Sequence, residues 1–232
     1  MAVRASTPTT RAVEVPPIRI MQVRIHIVGS SPLIVHAFSQ KALQIILGGQ
    51  QGKVKGARDV KEPATDFMNS LHVLRPIPAE GWDGKAVLHD EDPTLVYATG
   101  RFGFPSSGFK QACVRASKSL NLRMTDMRAA FFVPGEMVEI LPTNAIKAPT
   151  MRMDMARVAN GNPDVRFRAE FSEWEAFVPV DFDCDVASTD LIAALFRKAG
   201  VTVGIGDWRA EKDGPYGAFD VRGIEEMGLR QF

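Results

Sequence analysis

The feature that most constrains the fold of this chain is a glycine-rich segment at residues 203–221, with the sequence VGIGDWRAEKDGPYGAFDV. Glycine tolerates positive φ and lets a second backbone approach closely, so the segment is predicted to be a loop that makes backbone contacts. Its aromatic and basic side chains add stacking surface and positive charge, which suit a phosphate and an unstacked base. The candidate binding residues of this segment are Gly204, Gly206, Trp208, Arg209, Lys212, Gly214, Tyr216 and Gly217.

A plain hairpin loop is an equal alternative for this segment, because most glycine-rich connections between strands only turn the chain. Trp208 would then simply cover the edge of a sheet. A dinucleotide fingerprint is excluded, since that motif opens a helix, whereas Asp213-Gly-Pro-Tyr-Gly is typical of a turn followed by a strand. A P-loop is excluded because the Gly-Lys-Ser/Thr ending is missing.

The composition indicates one globular domain in a reducing compartment. A chain of 232 residues with 45% hydrophobic and 24% charged residues can bury a full core. Cys113 and Cys184 are too few and too far apart for a disulfide framework, which favours the cytoplasm. No apolar run reaches the length of a membrane span and no signal peptide is evident, so no membrane partner is expected.

No catalytic or metal-binding signature is present in the sequence. The histidines His26, His36, His72 and His89 form no HxH, HExxH or Cys/His pattern, so we expect no metal, no cofactor and no catalytic residue. Cys113 is interpreted as a core residue of a helix rather than a nucleophile. His36 follows the run Ser30–Val35 and is kept as a candidate binding residue, with a structural role as the alternative.

The net charge of +1 hides two blocks of opposite sign. Residues 101–128 contain six bases against the single acid Asp126, whereas residues 170–190 contain seven acids and no base. Separated blocks suit a groove for a polyanion and a counter-surface for self-association, although each block would also suit a solvated face. The basic block contributes the candidate binding residues Arg101, Lys110, Arg115 and Lys118.

The pattern of strands and helices predicts an α+β fold. The expected elements are a strand at Ile18–Val28, helices at Phe38–Leu47, Glu62–Leu74 and Ser106–Leu120, strands at Phe131–Val133, Met137–Leu141 and Glu173–Phe182, and a helix at Ser188–Ala199 that Ser188 caps and Gly200 ends. A hairpin with arms Thr150–Val158 and Val165–Phe171 precedes the Glu173–Phe182 strand. The order strand, helix, strand, strand, helix, strand is that of a ferredoxin-like or RRM-like unit with an inserted segment. The hairpin adds the candidate binding residues Arg152, Met153, Arg157, Arg166 and Arg168.

This order of parts, with the glycine-rich segment before the last strand, resembles the RAMP superfamily of CRISPR backbone subunits and related phage-encoded proteins. The resemblance implies a flexible arm at 1–17, a single domain at 18–232 with an insertion at about 50–148, and a projecting thumb hairpin at 149–171. It also implies a glycine loop that cradles a nucleic-acid backbone, a wedge between bases at Met153 or Met155, and a first-strand exit at Ser30–His36 near the bound strand.

We therefore expect a non-enzymatic, cytoplasmic protein that binds single-stranded RNA or DNA and oligomerises into a helical filament along the strand. The resemblance adds other effector-complex subunits as partners. One alternative is a self-assembling structural or assembly protein, viral in origin, that binds no nucleic acid. Another is a ribonuclease of the RAMP type, for which Asp154 is a weak candidate acid.

Overall fold

A computed structural model describes residues 17–37, 47–48, 50–51, 61–74, 87–88, 95–157 and 163–231. The strands are β1 (Arg19–Gly29), β2 (Leu33–Val35), β3 (Val87–Leu88), β4 (Val96–Tyr97), β5 (Phe102–Pro105), β6 (Phe131–Phe132), β7 (Met137–Pro142), β8 (Thr150–Arg157), β9 (Pro163–Phe171), β10 (Trp174–Asp183) and β11 (Phe219–Gln231). The α-helices are α1 (Pro63–Ser70), α2 (Ser106–Ala116), α3 (Met124–Ala130) and α4 (Thr189–Thr202), and 3-10 turns lie at Ser117–Leu120 and Ala210–Lys212.

The first sheet has the strand order β11-β1-β10-β7-β5, with β6 also paired to β10. The alternation in β1 that predicts a strand is satisfied, because Val23, Ile25 and Ile27 point into the core and the residues between them do not. On the buried face, these side chains join the core cluster that contains Phe109 of α2 and Phe196 of α4. Each pair of neighbouring strands is antiparallel.

The second sheet has the order β2-β9-β8-β4-β3 and contains the predicted hairpin at its centre. The base of the hairpin is flanked on one side by β2, which pairs with residues 169–171, and on the other by β4 through the pair Tyr97 and Thr150. The register continues outward from Thr150↔Glu170 to Arg157↔Pro163. The hairpin is therefore rooted in a sheet, and its outer part extends past the strands that flank its base.

Helix α4 starts as the sequence predicts but ends later. The Ser188 hydroxyl accepts a hydrogen bond from the Leu191 backbone N–H at 3.2 Å, so the expected cap is confirmed. The expected end at Gly200 is wrong, because the helix runs through this residue to Thr202. A Cβ at position 200 would collide with the Phe219 carbonyl oxygen, so glycine at this position lets α4 pack directly on β11.

The described elements form a mixed arrangement of antiparallel sheets and helices, in agreement with the predicted α+β class. The glycine-rich segment joins α4 to β11, so the alternative of a hairpin loop between two strands is wrong. The helix expected at Phe38–Leu47 and most of the arm at 1–17 lie outside the described residues. Within the described ranges, we find no helix that has the length and apolar character needed to cross a membrane.

Candidate functional site

The glycine-rich segment folds back on itself and attaches to β2. The Ile205 N–H donates to the Gly217 carbonyl at 2.9 Å, which closes the loop. The Asp207 N–H donates to the Ile34 carbonyl at 2.9 Å, and the Gly217 N–H donates to the Pro32 carbonyl at 2.8 Å. These bonds place the loop beside β2 and the residue that precedes it.

The glycines are needed for contacts within the protein. Gly217 has a φ of +69°, and a Cβ there would collide with the Ile205 carbonyl oxygen. A Cβ at Gly206, which has a φ of +80°, would collide with the Ile34 carbonyl oxygen. A Cβ at Gly214 would likewise collide with the Trp208 carbonyl, and a Cβ at Gly204, which has a φ of +71°, would lie 3.0 Å from the Gly217 carbonyl oxygen. The close backbone approach that the composition predicts is thus made by the loop itself and by β2.

An arginine and aromatic cluster joins the hairpin to this loop. The Arg152 guanidinium lies 4.6 Å from the Tyr216 ring centroid, and the Arg168 guanidinium lies 4.9 Å from the Trp208 ring centroid. These distances are within the range of cation–π contacts. Trp208 adopts a φ of +49°, which is uncommon for residues other than glycine, so the loop holds this ring against the hairpin in a costly conformation.

Carboxylates surround the same two arginines. The Arg152 guanidinium contacts Asp154 at 2.7 Å and Glu170 at 2.6 Å. Arg168, with a side chain only 3% exposed, lies 3.8 Å from Asp154 and 3.6 Å from Asp207. Because Arg168 is enclosed and the two arginines are outnumbered by acids, their geometry favours a role in holding the hairpin on the loop.

A cavity of about 430 Å³ lies between the loop, α2 and the exit of β2. Backbone contacts bring its two histidines together: the Ala37 N–H donates to the Ser70 carbonyl, and the Gly103 N–H donates to the His72 carbonyl, both at 2.8 Å. The lining residues are His36, His72, Phe104, Pro105, Gly108, Gln111, Ala112, Arg115, Val203, Gly204, Ile205, Gly206, Asp207 and Arg209.

Both cavity histidines are held toward the neutral state. Partial burial lowers the pKa of the exposed His36, and nearby Arg168 adds to this lowering while Asp207 opposes it. Burial also lowers the pKa of the half-buried His72, with a further contribution from nearby His36. A neutral imidazole offers one hydrogen-bond donor and one acceptor. In the part of the chain that the structure describes, no group of three or more His, Cys, Asp or Glu side chains is arranged to hold a metal ion.

One wall of the cavity is basic. Arg115 and Arg209 both contact the carboxylate of Glu211, which Arg209 approaches to 2.8 Å. Burial would raise the pKa of Glu211, but the hydrogen bonds from Arg209 and Arg115 outweigh it and lower this pKa. A neighbouring hollow of about 420 Å³ includes Arg115, Glu211 and Lys118 in its lining. Two guanidiniums therefore share a single carboxylate at this wall.

The remaining predicted residues lie elsewhere. Arg101 is paired with Glu139 at 2.7 Å on the first sheet, and Lys110 lies 5.8 Å from the Phe131 ring centroid. Lys212 is exposed in the 3-10 turn at 210–212, Met153 is 68% exposed on the hairpin, and Arg166 lies 3.5 Å from Asp164. Arg157 is the last residue of β8, and its side chain is not among those that the structure describes.

The acidic block is divided between the two sheets. On β10, Glu175 contacts His26 at 2.8 Å and Asp181 contacts Arg230 at 3.0 Å, both across neighbouring strands of the first sheet. Glu170 instead belongs to the arginine cluster of the hairpin. Glu170 and Asp181 are therefore neutralised by arginines on β8 and β11, and Asp185 is neutralised by Arg19 of β1.

Several site residues are missed by sequence analysis. His72, Gln111 and Glu211 contribute to the cavity or its basic wall, but none belongs to a recognisable motif. His36 and His72 are 36 positions apart, and no local pattern could have paired them. The available signals were the glycine segment, which supplies the cavity residues 204–206 and Arg209, the basic block, which supplies Arg115, and the exit of the first strand, which supplies His36.

Comparison with known proteins does not assign the chain to a family. No family profile matches it. No curated protein matches it either. A structural similarity is found to a chain in the cryo-EM structure of the type III-B Cmr-beta bound to cognate target RNA, with 12% identity and a TM-score of 0.45. The similarity covers 90% of this chain and 61% of that chain, so this chain spans less than two thirds of the other.

Proposed function

We propose that this protein is a non-enzymatic subunit that binds single-stranded nucleic acid along its backbone. The observation that carries the proposal is the basic wall of the cavity, where Arg115 and Arg209 share the one carboxylate of Glu211. One positive charge is left over at a solvent-accessible position next to a glycine loop, and phosphates are recognised by charge of this kind. Phe104 and the two histidines add planar surfaces within the same cavity.

The strand order supports a ferredoxin-like palm of the RAMP type. The four strands β11, β1, β10 and β7 are neighbours in that order, and all their pairings are antiparallel. Helix α2 lies between β1 and β7 in the sequence, and α4 lies between β10 and β11. A ferredoxin-like unit has this order of strands and crossovers. On this proposal the hairpin at 149–171 is the thumb.

The outer part of the hairpin supports contact with a strand or with another subunit. Met153 and Met155 are 68% and 74% exposed, and Val165, which pairs with Met155, is 39% exposed. Exposed apolar side chains of this kind are typical of an interaction surface. We therefore extend the proposal to a filament in which the hairpin of one subunit reaches the strand near the next subunit.

The test is a titration of fluorescent single-stranded RNA and DNA of about 30 nucleotides with the full chain at several salt concentrations. The double variant Arg115→Gln/Lys118→Gln should weaken binding at least tenfold at low salt. Because each lost phosphate contact lowers the slope of log K against log salt by about 0.7 for single strands, the slope should fall by about 1.4. The labelled strand should stay intact, and fragments would instead favour the ribonuclease alternative.

The matched control is Arg123→Gln, since Arg123 is an exposed residue that pairs with Asp126 at 2.9 Å and lines neither hollow. Its affinity and salt slope should equal those of the unmodified protein. Binding that is unchanged in the double variant, or weakened equally in the control, would refute the proposed interface.

The second candidate function, self-assembly without nucleic acid, is favoured by the same exposed methionines. It predicts an oligomer whose ratio of absorbance at 260 and 280 nm is that of pure protein. Size-exclusion chromatography before and after separate RNase and DNase treatment distinguishes the two functions. A nucleic-acid-rich peak that collapses with one nuclease supports strand binding and identifies the strand, whereas an oligomer unaffected by both supports self-assembly.

A further inference from the structure

We propose that the cavity between the glycine loop and α2 is a pocket for one nucleotide, with its phosphate at Arg115 and Arg209 and its base against Phe104 and His72. The inference rests on the proposed function for its biological setting, because a nucleotide turned out of a bound strand would fill the pocket. The pocket itself would also accept a free nucleoside monophosphate. This second property allows the pocket to be tested without a strand.

The size and walls of the cavity suit a nucleotide. A volume of about 430 Å³ falls within the range of small-molecule pockets, which combine apolar walls with a few fixed polar groups. Phe104 packs over Gly108 in the first turn of α2, where a Cβ would collide with its ring. The His72 ring meets the Phe104 ring edge to face at a centroid distance of 6.1 Å. The two rings meet at 79° and form a partly apolar corner, in which each ring offers a flat face to a base.

The charged end of the cavity suits one phosphate. Arg209 is oriented by Glu211 and by a hydrogen bond from its Nη1 to the Gly206 carbonyl at 3.1 Å. Arg115 reaches the same carboxylate from α2 and remains 37% exposed. The other acid of the lining, Asp207, lies 3.6 Å from Arg168 of the hairpin, which offsets its charge. The excess positive charge therefore lies where Arg115 and Arg209 meet.

Uncharged polar groups between these two ends can contact the edge of a base or a sugar. Gln111 is exposed on the cavity side of α2 and carries both an amide donor and a carbonyl acceptor. His36 and His72, as neutral imidazoles, each offer one donor and one acceptor. Inorganic phosphate alone would leave the ring corner and these groups unused, whereas an apolar ligand would leave the two arginines unused. A nucleotide uses all three features.

The test is isothermal titration calorimetry of the full chain with AMP, UMP, ribose 5-phosphate and inorganic phosphate as separate probes. We expect one saturable site for AMP or UMP. Ribose 5-phosphate and inorganic phosphate should bind at least about tenfold more weakly, because they lack the contact between base and ring. Equal binding of all four probes would overturn the proposal in favour of a simple phosphate site.

Two matched pairs of variants locate the site. Gln111→Trp fills the cavity from an exposed position and should weaken nucleotide binding at least tenfold, whereas Ser107→Trp, at an exposed position of α2 that does not line the cavity, should stay within about threefold of the unmodified protein. Arg115→Gln should also weaken binding at least tenfold, and Arg123→Gln should not. Thermal unfolding of each variant confirms that the fold is kept. Nucleotide binding that is unchanged in Gln111→Trp would overturn the pocket.

Strand binding measured in parallel separates this inference from the proposed function. If the protein binds single strands with equal affinity before and after Gln111→Trp and binds no mononucleotide, the pocket is refuted and the proposed function stands. If it binds AMP or UMP through Arg115 but binds no RNA or DNA strand, the proposed function is refuted and the pocket stands.

Discussion

Two pairs of arginines lie at the glycine-rich loop, one on its hairpin side and one at the cavity, and their surroundings differ. On the hairpin side, Arg152 and Arg168 are met by the three carboxylates of Asp154, Glu170 and Asp207. On the cavity side, Arg115 and Arg209 share one carboxylate.

Arginines that look alike in the sequence therefore have different uses. The hairpin pair is neutralised, and Arg168 is buried, so these residues fasten two parts of the protein together. The cavity pair keeps uncompensated charge at a position that a ligand can reach. The ratio of acids to bases around each pair, rather than the number of bases, decides which pair is available for binding.

The largest effect on stability is expected from Asp154→Asn, which removes a carboxylate charge on the hairpin side. The Asp154 side chain is only 5% exposed and contacts both hairpin arginines. Removing its charge leaves the buried Arg168 with a single carboxylate at 3.6 Å, so the free energy of unfolding should fall by about 3 kcal/mol. Urea unfolding measures this. Asp126→Asn, at a 44% exposed ion pair, is the control and should change it by less than about 1 kcal/mol. Similar values for both variants would contradict the fastening role.

The next largest effect is expected in the glycine-rich loop, at which both pairs of arginines lie. Gly217→Ala places a Cβ against the Ile205 carbonyl at a φ of +69°, so we expect a loss of at least about 2 kcal/mol in the free energy of unfolding. Gly223→Ala is the matched control, because no atom lies within 4 Å of the added Cβ. Equal thermal midpoints in the two variants would show that the loop tolerates a side chain and is not closed as described.

A smaller effect is expected at the cavity, from the variant Glu211→Gln. Glu211→Gln removes the shared, partly exposed carboxylate and should cost less than about 1 kcal/mol in stability. The freed charge should tighten the binding of a single strand about fivefold at low salt, because one charge at about 4 Å in water contributes about 1 kcal/mol. Fluorescence titration at two salt concentrations measures this gain. Weaker binding would mean that Glu211 is needed to orient the arginines more than it competes with phosphate.

The smallest effect is a dependence of stability on pH. Burial lowers the pKa of His72, so the unfolded chain takes up its proton at a higher pH than the folded chain does. The contribution of His72 is complete above about pH 6.5 and is lost as the pH falls from there toward the lowered pKa. Between pH 7.5 and 5.5, His72→Gln should therefore lose less stability in urea unfolding than the unmodified protein. Gln111→Ala, a change without a titrating group in the same cavity, should lose as much as the unmodified protein does.

Local patterns in the sequence predict much of the fold. The alternation in β1, the core position of Cys113 in α2 and the Ser188 cap each depend on residues close together in the chain, and all three are observed. The end of α4 could not be predicted in the same way. Glycine usually ends a helix, but Gly200 serves a contact with Phe219 that is visible only in three dimensions.

In the candidate site, too, local patterns predict some residues and miss others. Arg115, Arg209 and His36 were found from charge, from the glycine segment and from the strand exit, and the structure brings them to one cavity. The same reasoning also selected Arg168 as a candidate binding residue, because no local pattern indicates that it is buried beside Asp154 and Asp207. His72 was not selected, since its approach to His36 depends on backbone hydrogen bonds between distant segments.

The position of β1 between β10 and β11 also affects how the protein can be synthesised. Gly29 at the end of β1 pairs with Phe219, which leaves the ribosome 190 residues later. At about 5–20 residues per second this delay is about 10 to 40 s. During this time one edge of β1 has unpaired backbone groups, which are a template for pairing with other nascent chains. We expect slow cotranslational folding and a benefit from chaperones that cover this edge until β11 emerges.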